Sequence, residues 1–197
     1  MRSLIVSTLF LASAAGWAAP ASAQTFGAKG GLDLTNVVDV GFATDASPSF
    51  GGTVGGFVGV RVFRGLSAGG EALYTIERTT ISSGVEDRLT YFEVPGYLRY
   101  RVWGSPEGMR ASVIGGGFYR SLIDATEIIG GASNPIKDAV ASSDFGALIG
   151  VQVDIKPRWV AEARYLYGMT DIYNQFRAPR AGQHRTFQVT VAYRVRK

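Results

Sequence analysis

Thr186-Phe187-Gln188-Val189-Thr190-Val191-Ala192-Tyr193-Arg194-Val195-Arg196 is the stretch whose pattern decides the fold class. Its bulky apolar residues, Phe187, Val189, Val191, Tyr193 and Val195, occupy every second position, and polar or small residues fill the gaps. Period two marks a strand whose two faces meet different surroundings, because successive Cβ atoms point to opposite sides. The segment Leu66 to Glu77 repeats it: Leu66, Ala68, Gly70, Ala72, Tyr74 and Ile76 alternate with Ser67, Gly69, Glu71, Thr75 and Glu77, with Leu73 out of step. A helix would gather those glutamates on no single face.

Working outward, the same pattern predicts eight strands, at about 25–36, 51–63, 66–79, 88–102, 109–121, 144–155, 158–170 and 185–196. Most reach the ~9 to 11 residues that a tilted strand needs to cross a bilayer. Their links alternate in length. Arg64-Gly65, Trp103 to Gly108 and Lys156-Pro157 are short, whereas 37–50, 80–87, 122–143 and 171–184 are longer and polar or glycine-rich. An antiparallel up-and-down barrel with both termini in the periplasm needs its tight turns at those three places.

Composition agrees with one all-β domain. Of 197 residues, 46% are apolar, 12% aromatic and 18% charged, and 26 are glycine. Disordered and collagen-like chains are excluded on those grounds. With no cysteine, a disulfide scaffold and a Cys-based metal site are excluded as well. Met1-Arg2, the apolar run Leu4 to Leu11 and Ala21-Ser22-Ala23 before Gln24 have the layout of a secretory signal peptide. Residues 1–23 are therefore expected to be removed, and 24–197 to form the barrel. Cleavage takes away Arg2 and no acid, so the formal charge of +4 drops by one, too mild for a nucleic-acid partner. No later stretch has the 18 or more consecutive apolar residues of a spanning helix.

A charge facing acyl chains costs roughly 2 to 4 kcal/mol at mid-depth, so in a membrane barrel the charged parity must face inward. That parity contains Lys29, Asp33, Arg61, Glu71, Glu77, Glu93, Arg99, Arg101, Arg110, Arg120, Asp154, Glu162, Arg164, Arg194 and Arg196, with Thr53, Ser112, Gln152 and Gln188. The outward set is Val, Leu, Ala, Phe, Tyr and Gly. Inverting every facing would describe a soluble periplasmic lipocalin-like lipid carrier instead. Gly30, Ala68, Gly70, Ala72, Ala111, Gly115, Gly117, Ala161 and Ala163 favour the membrane, since they are too small to fill a soluble core. Tyr74, Tyr91, Trp103, Tyr119, Trp159, Tyr165, Tyr167 and Tyr193 suit interfacial girdles. The interior of an eight-stranded barrel is just wide enough to be filled by side chains. Arg61, Glu71, Glu93, Arg99, Arg101, Glu162 and Arg164 are accordingly expected to pair there into an ion network that plugs it.

Tyr91-Phe92-Glu93-Val94-Pro95-Gly96-Tyr97-Leu98-Arg99-Tyr100 resembles the Y-L-E-I-P-x-x-x-K/R-Y strand of the PorT-like family of outer-membrane β-barrel domains. Gly27 to Asn36 is similar to that family's G-x-K-x-G-x-N-x-S first strand, and Trp159 to Ile172 to its E-x-R-Y-x-x-G-L-T-D/N-I seventh strand. The resemblance implies an eight-stranded barrel of the small OmpA- or OmpX-like kind in the bacterial outer membrane, inserted by the barrel assembly machinery. It implies no reaction. The chain ends Tyr193-Arg194-Val195-Arg196-Lys197 rather than on the terminal Phe or Trp of many such barrels.

Catalytic signals are sparse. His184 is the single histidine and sits at the mouth of the last strand, as in barrel lipid-A deacylases, but His184-Arg185-Thr186-Phe187 lacks their H-x-S-N. A solvated loop histidine is the simpler expectation. Gly115-Gly116-Gly117 lies within a strand and is no phosphate cradle. Arg177, Arg180 and Arg185 form a basic cluster placed to meet lipopolysaccharide phosphates. The expectation is a monomeric, non-enzymatic outer-membrane barrel without cofactor or metal. Its role is structural, envelope-stabilising or surface-interacting, and its partners are outer-membrane lipids and lipopolysaccharide. A lipid carrier, a lipid-A-modifying enzyme and a narrow channel are the alternatives.

Overall fold

The computed structural model describes residues 24–39, 49–82, 85–105, 108–171 and 182–196. Nine strands follow in order: β1 (Gln24–Asp39), β2 (Ser49–Phe63), β3 (Leu66–Ser82), β4 (Val85–Gly104), β5 (Arg110–Ile129), β6 (Ala132–Pro135), β7 (Ser143–Asp154), β8 (Trp159–Asp171) and β9 (Gly182–Arg196). All pairings are antiparallel. The sheet runs β4-β3-β2-β1-β9-β8-β7-β5, and β4 also pairs with β5, so eight strands close into a ring. The ninth, β6, is a four-residue hairpin partner of β5 above the ring.

Every predicted strand is present, and most run longer. β2–β3, β4–β5 and β7–β8 are joined by short links at the end that also holds Gln24 and Arg196, hereafter the turn end. At the opposite, loop end, the expected long link over 80–87 is corrected: β3 and β4 continue as one hairpin until Ser82 faces Val85. The β-branched run Thr79-Thr80-Ile81 favours that extension, and Arg78 and Glu86 approach at 3.8 Å along it. The segment 122–143 is likewise not open loop. β5 rises to Ile129, turns through Gly130 (φ 57°) and Gly131 (φ 88°) and descends as β6. Two successive positive φ values are what a two-residue hairpin turn requires, and glycine adopts them without strain.

The facing of the strands settles the solvent question. Leu32 is 73% exposed and its neighbour Asp33 1%; Phe50 and Ile149 are exposed at 74% and 67%. Val54, Val58, Leu98, Val113, Phe187 and Val191 extend the outward apolar belt, while Lys29, Glu71, Glu93, Arg120, Arg164 and Gln188 are buried inside. A soluble barrel has the reverse arrangement, so the lipid-carrier alternative fails on orientation. Trp103, Trp159, Tyr74, Tyr119, Tyr165 and Tyr167 are exposed on the outer surface, and Trp159 stacks edge-on with Tyr193 at 5.1 Å.

Two facings differ from expectation. Tyr91, assigned to the girdle, is buried inside the barrel. Leu73, Ile114, Phe118, Leu148 and Leu166 also point inward, although apolar side chains were expected outside. The last four form one apolar wall with Tyr97 packed against it. An interior this narrow is filled by side-chain volume, and aliphatic groups occupy the wall that the ion pairs do not reach. Tyr97 itself fits because two facing positions are glycine. A Cβ on Gly69 would stand 2.7 Å from the Tyr97 ring, and one on Gly116 would meet the Gly96 carbonyl and Tyr97.

Candidate functional site

The interior is stacked in layers along the barrel axis. At its middle, alternate strand positions bring charges of opposite sign into one chain of contacts. Lys29 Nζ lies 2.6 Å from Glu71 Oε1 and 2.8 Å from Glu162 Oε1. Arg164 then bridges Glu71 Oε2 at 2.8 Å and Glu93 Oε1 at 3.1 Å. Arg120 continues from Glu93 Oε2 at 2.7 Å to Glu77 Oε1 at 3.1 Å. Both oxygens of Glu71 and both of Glu93 thus accept charge-assisted bonds, and Gln152 donates to Glu162 at the other end of the chain. Burial of an ion is costly unless its partners are well placed, and these side chains are almost wholly enclosed.

Of the residues singled out from sequence, Glu71, Glu93, Glu162 and Arg164 meet in this chain. Arg99 does not: it sits nearer the turn end on Asp154. Arg61 and Arg101 are corrected out of the network. Arg61 is exposed and Arg101 half-buried, both line the cavity at the turn end, and among the described residues neither side chain has an ion-pair partner. They lie too close to the end of the barrel to be fully enclosed. The network members that were not singled out are Lys29, Glu77 and Arg120. Arg120 is directly opposite Glu93 in the β4–β5 register, a pairing that becomes visible only once the register is known.

Above the chain lies His184, and here the solvated-loop expectation is overturned. β9 begins at Gly182, three residues before its predicted start, which places His184 on the inward parity with Thr186 and Gln188. It is 3% exposed, with Nε2 3.6 Å from Glu77 Oε2, Nδ1 3.5 Å from Asp144 Oδ2 and its ring edge-on to Tyr91 at 5.9 Å. Thr35 donates to Glu77 at 3.2 Å in the same layer. Higher still, the connection after β6 dips into the barrel. Ile136 and Val140 bury themselves against Leu89, Tyr91, Leu122 and Ala125. Ile136 N donates to Ala125 O and Leu122 N to Ser142 O, both at 2.9 Å, and Lys137 Nζ reaches Ile123 O at 2.7 Å. An apolar cluster thus packs across the loop end of the described residues.

The turn end is built differently. Arg194 Nη2 lies 2.6 Å from Asp154 Oδ1, while Arg99 Nη2 and Arg110 Nη2 approach Asp154 Oδ2 at 2.8 and 2.9 Å. Arg99 Nε also donates to Ser112 at 3.1 Å. These residues line a cavity of about 130 Å³ that Arg61 and Arg101 complete. Among the described residues no group of three or more His, Asp or Glu side chains is arranged to hold a metal ion.

On the outer rim of the loop end, Arg185 lies 3.4 Å above the Tyr167 ring and donates to Gly168 O at 2.8 Å and Gln183 Oε1 at 2.8 Å. Residues 1–23, Arg177, Arg180 and the Arg196 side chain lie outside the described residues.

The ring of strands is similar to solved outer-membrane barrels. The attachment invasion locus protein Ail of Yersinia pestis superimposes with a TM-score of 0.52 at 15% identity, over 88% of this chain and 99% of that one. Neisserial surface protein A superimposes with a TM-score of 0.54 at 13% identity, over 85% of this chain and 96% of that one. Identities this low carry the fold alone. No curated protein matches the sequence at a significant level. The model of the outer membrane protein beta-barrel domain matches residues 22–174. With the inward charges, the outward apolar belt and that match together, the chain belongs to the outer membrane protein beta-barrel domain family.

Proposed function

We propose that the protein is a closed, non-enzymatic barrel of the bacterial outer membrane that stabilises the envelope and offers its outer rim to lipopolysaccharide. The observation that carries this reading is the filled interior. The ion chain from Glu162 to Glu77 spans the interior and Ile136 and Val140 pack above it, and among the described residues this filling supports a closed bore over an open channel. Closure of β1 on β9 leaves no unpaired edge within the ring, which favours a monomer. By the family's usual layout the turn end faces the periplasm and the loop end the exterior.

His184 would have to serve as the base in any serine-hydrolase reading. Its two nitrogens face Glu77 and Asp144 inside the barrel, away from the outer surface where a lipid substrate lies, and this supports a structural role for it. Arg185, 3.4 Å above the Tyr167 ring, puts a positive charge at the outer rim, and with Arg177 and Arg180 as sequence neighbours this supports contact with lipopolysaccharide phosphates. The Tyr91-to-Tyr100 motif points to the PorT-like branch and to insertion by the barrel assembly machinery.

Recording from planar lipid bilayers tests the reading. The expected result is no stepwise conductance from folded protein. Reproducible unitary steps from the unaltered chain would replace the closed barrel with a channel.

A further inference from the structure

We infer that the vestibule at the turn end is a binding site for a phosphate-type oxyanion. Arg99, Arg110 and Arg194 converge on one carboxylate, Asp154, so their charge exceeds that of their shared partner by two. Arg61 and Arg101 line the same cavity, and among the described residues neither has an acid to neutralise it. The other acids on the wall, Glu71 and Glu162, are held by Lys29 at the floor. Among the described residues the site therefore carries a surplus of guanidinium groups over available carboxylates, in a cavity that is partly open to solvent.

A structural role alone accounts poorly for that surplus. Like charges crowded into a partly buried cavity repel one another, and the repulsion is relieved when an anion enters. Arg110 Nε is buried and, among the described residues, has no hydrogen-bond acceptor. Guanidinium forks match the oxygens of phosphate in geometry as well as charge, and a cluster of them favours a multivalent anion over a lone carboxylate. Ser112 and Tyr97 add hydroxyl groups to the lining. At about 130 Å³ the cavity accommodates a tetrahedral oxyanion and opens toward the turn end, where such a ligand would arrive as free phosphate or as a lipid headgroup.

Calorimetric titration of the folded full chain in a non-ionic detergent, with inorganic phosphate and separately with glycerol 3-phosphate, tests the site. Saturable binding is expected, weakening as salt is raised. Tighter binding of glycerol 3-phosphate would identify a lipid headgroup as the source, and tighter binding of inorganic phosphate the free ion. The double variant Arg61→Ala/Arg101→Ala lies outside every ion pair described, so the barrel persists, as a boiled-against-unboiled gel-mobility comparison would verify. Its affinity is expected to fall about tenfold or more. Asp154→Asn, which frees three guanidinium groups, is expected to bind more tightly than the unaltered chain. Absence of saturable binding to either probe, or equal affinity in the double variant, would overturn the inference. The conductance recordings are independent of this result, so a failed site and a failed closed-barrel reading are told apart.

Discussion

At the turn end of the interior, Arg99, Arg110 and Arg194 share the carboxylate of Asp154 and Arg61 and Arg101 line the same cavity; toward the middle and the loop end, Lys29, Arg120 and Arg164 are outnumbered by Asp33, Glu71, Glu77, Glu93, Asp144 and Glu162. Both regions use the same inward parity of the same strands. They differ in how the charges are matched. In the middle, acids and bases alternate and each cation bridges two or more carboxylates, so the charges serve one another. At the turn end, among the described residues, three arginines share one carboxylate and Arg61 and Arg101 have none. In the middle each cation ties two or more strands together through the carboxylates it bridges, whereas at the mouth the arginines outnumber the carboxylates they share.

Substitutions that break the two regions should therefore part in kind. The largest loss is expected from Arg164→Leu, which strands Glu71 and Glu93 without their shared cation; removing one partner of a buried pair costs about 3 to 5 kcal/mol. Urea unfolding followed by gel mobility reads it, and a loss below about 1 kcal/mol would mean that water enters the middle layer. Ile136→Ala comes next. Truncating a buried isoleucine costs about 2 to 5 kcal/mol, and the low end is expected because the surface connection can settle into the gap. The same variant should leave the ion chain closed, so bilayer recordings should remain silent.

A smaller effect is expected from Asp154→Asn, about 1 kcal/mol, because three arginines lose a shared acceptor in a place where water and ions can compensate. Smallest is Arg61→Ala. Its stability change should stay within about 0.5 kcal/mol, as for surface substitutions generally, while its affinity for phosphate drops. A variant order reversed between Arg164 and Arg61 would erase the distinction between scaffold and mouth.

Much of this architecture is legible in the sequence because period two reports facing directly. Asp33 and Leu32 had to lie on opposite surfaces whatever their partners. Pairing inside the bore is a different matter. Arg120 meets Glu93 through the β4–β5 register, and Lys29 meets Glu162 through the closure of β1 on β9 and β9 on β8, neither of which the linear pattern encodes. His184 was within reach: it shares parity with Thr186, Gln188 and Thr190, and extending the last strand by three residues would have placed it inside. The apolar cap left a weaker trace. Ile136 and Val140 sit in an irregular segment without periodicity, and their burial follows from a connection folding back, which no alternation signals.

The seam between β1 and β9 joins the first and last strands of the described chain, and this sets an order of events. Before the seam forms, Lys29 can reach Glu71 within the β1–β2–β3 meander, but Glu162 lies 133 positions away along the chain. An open sheet laid into lipid would thus leave Lys29 short of one of its two carboxylates on the face destined for the bore. Arg120 and Glu93 face each other across β4 and β5 and can pair before the ring closes, whereas the bond from Lys29 to Glu162 waits for the seam, so closure completes the ion chain rather than starting it.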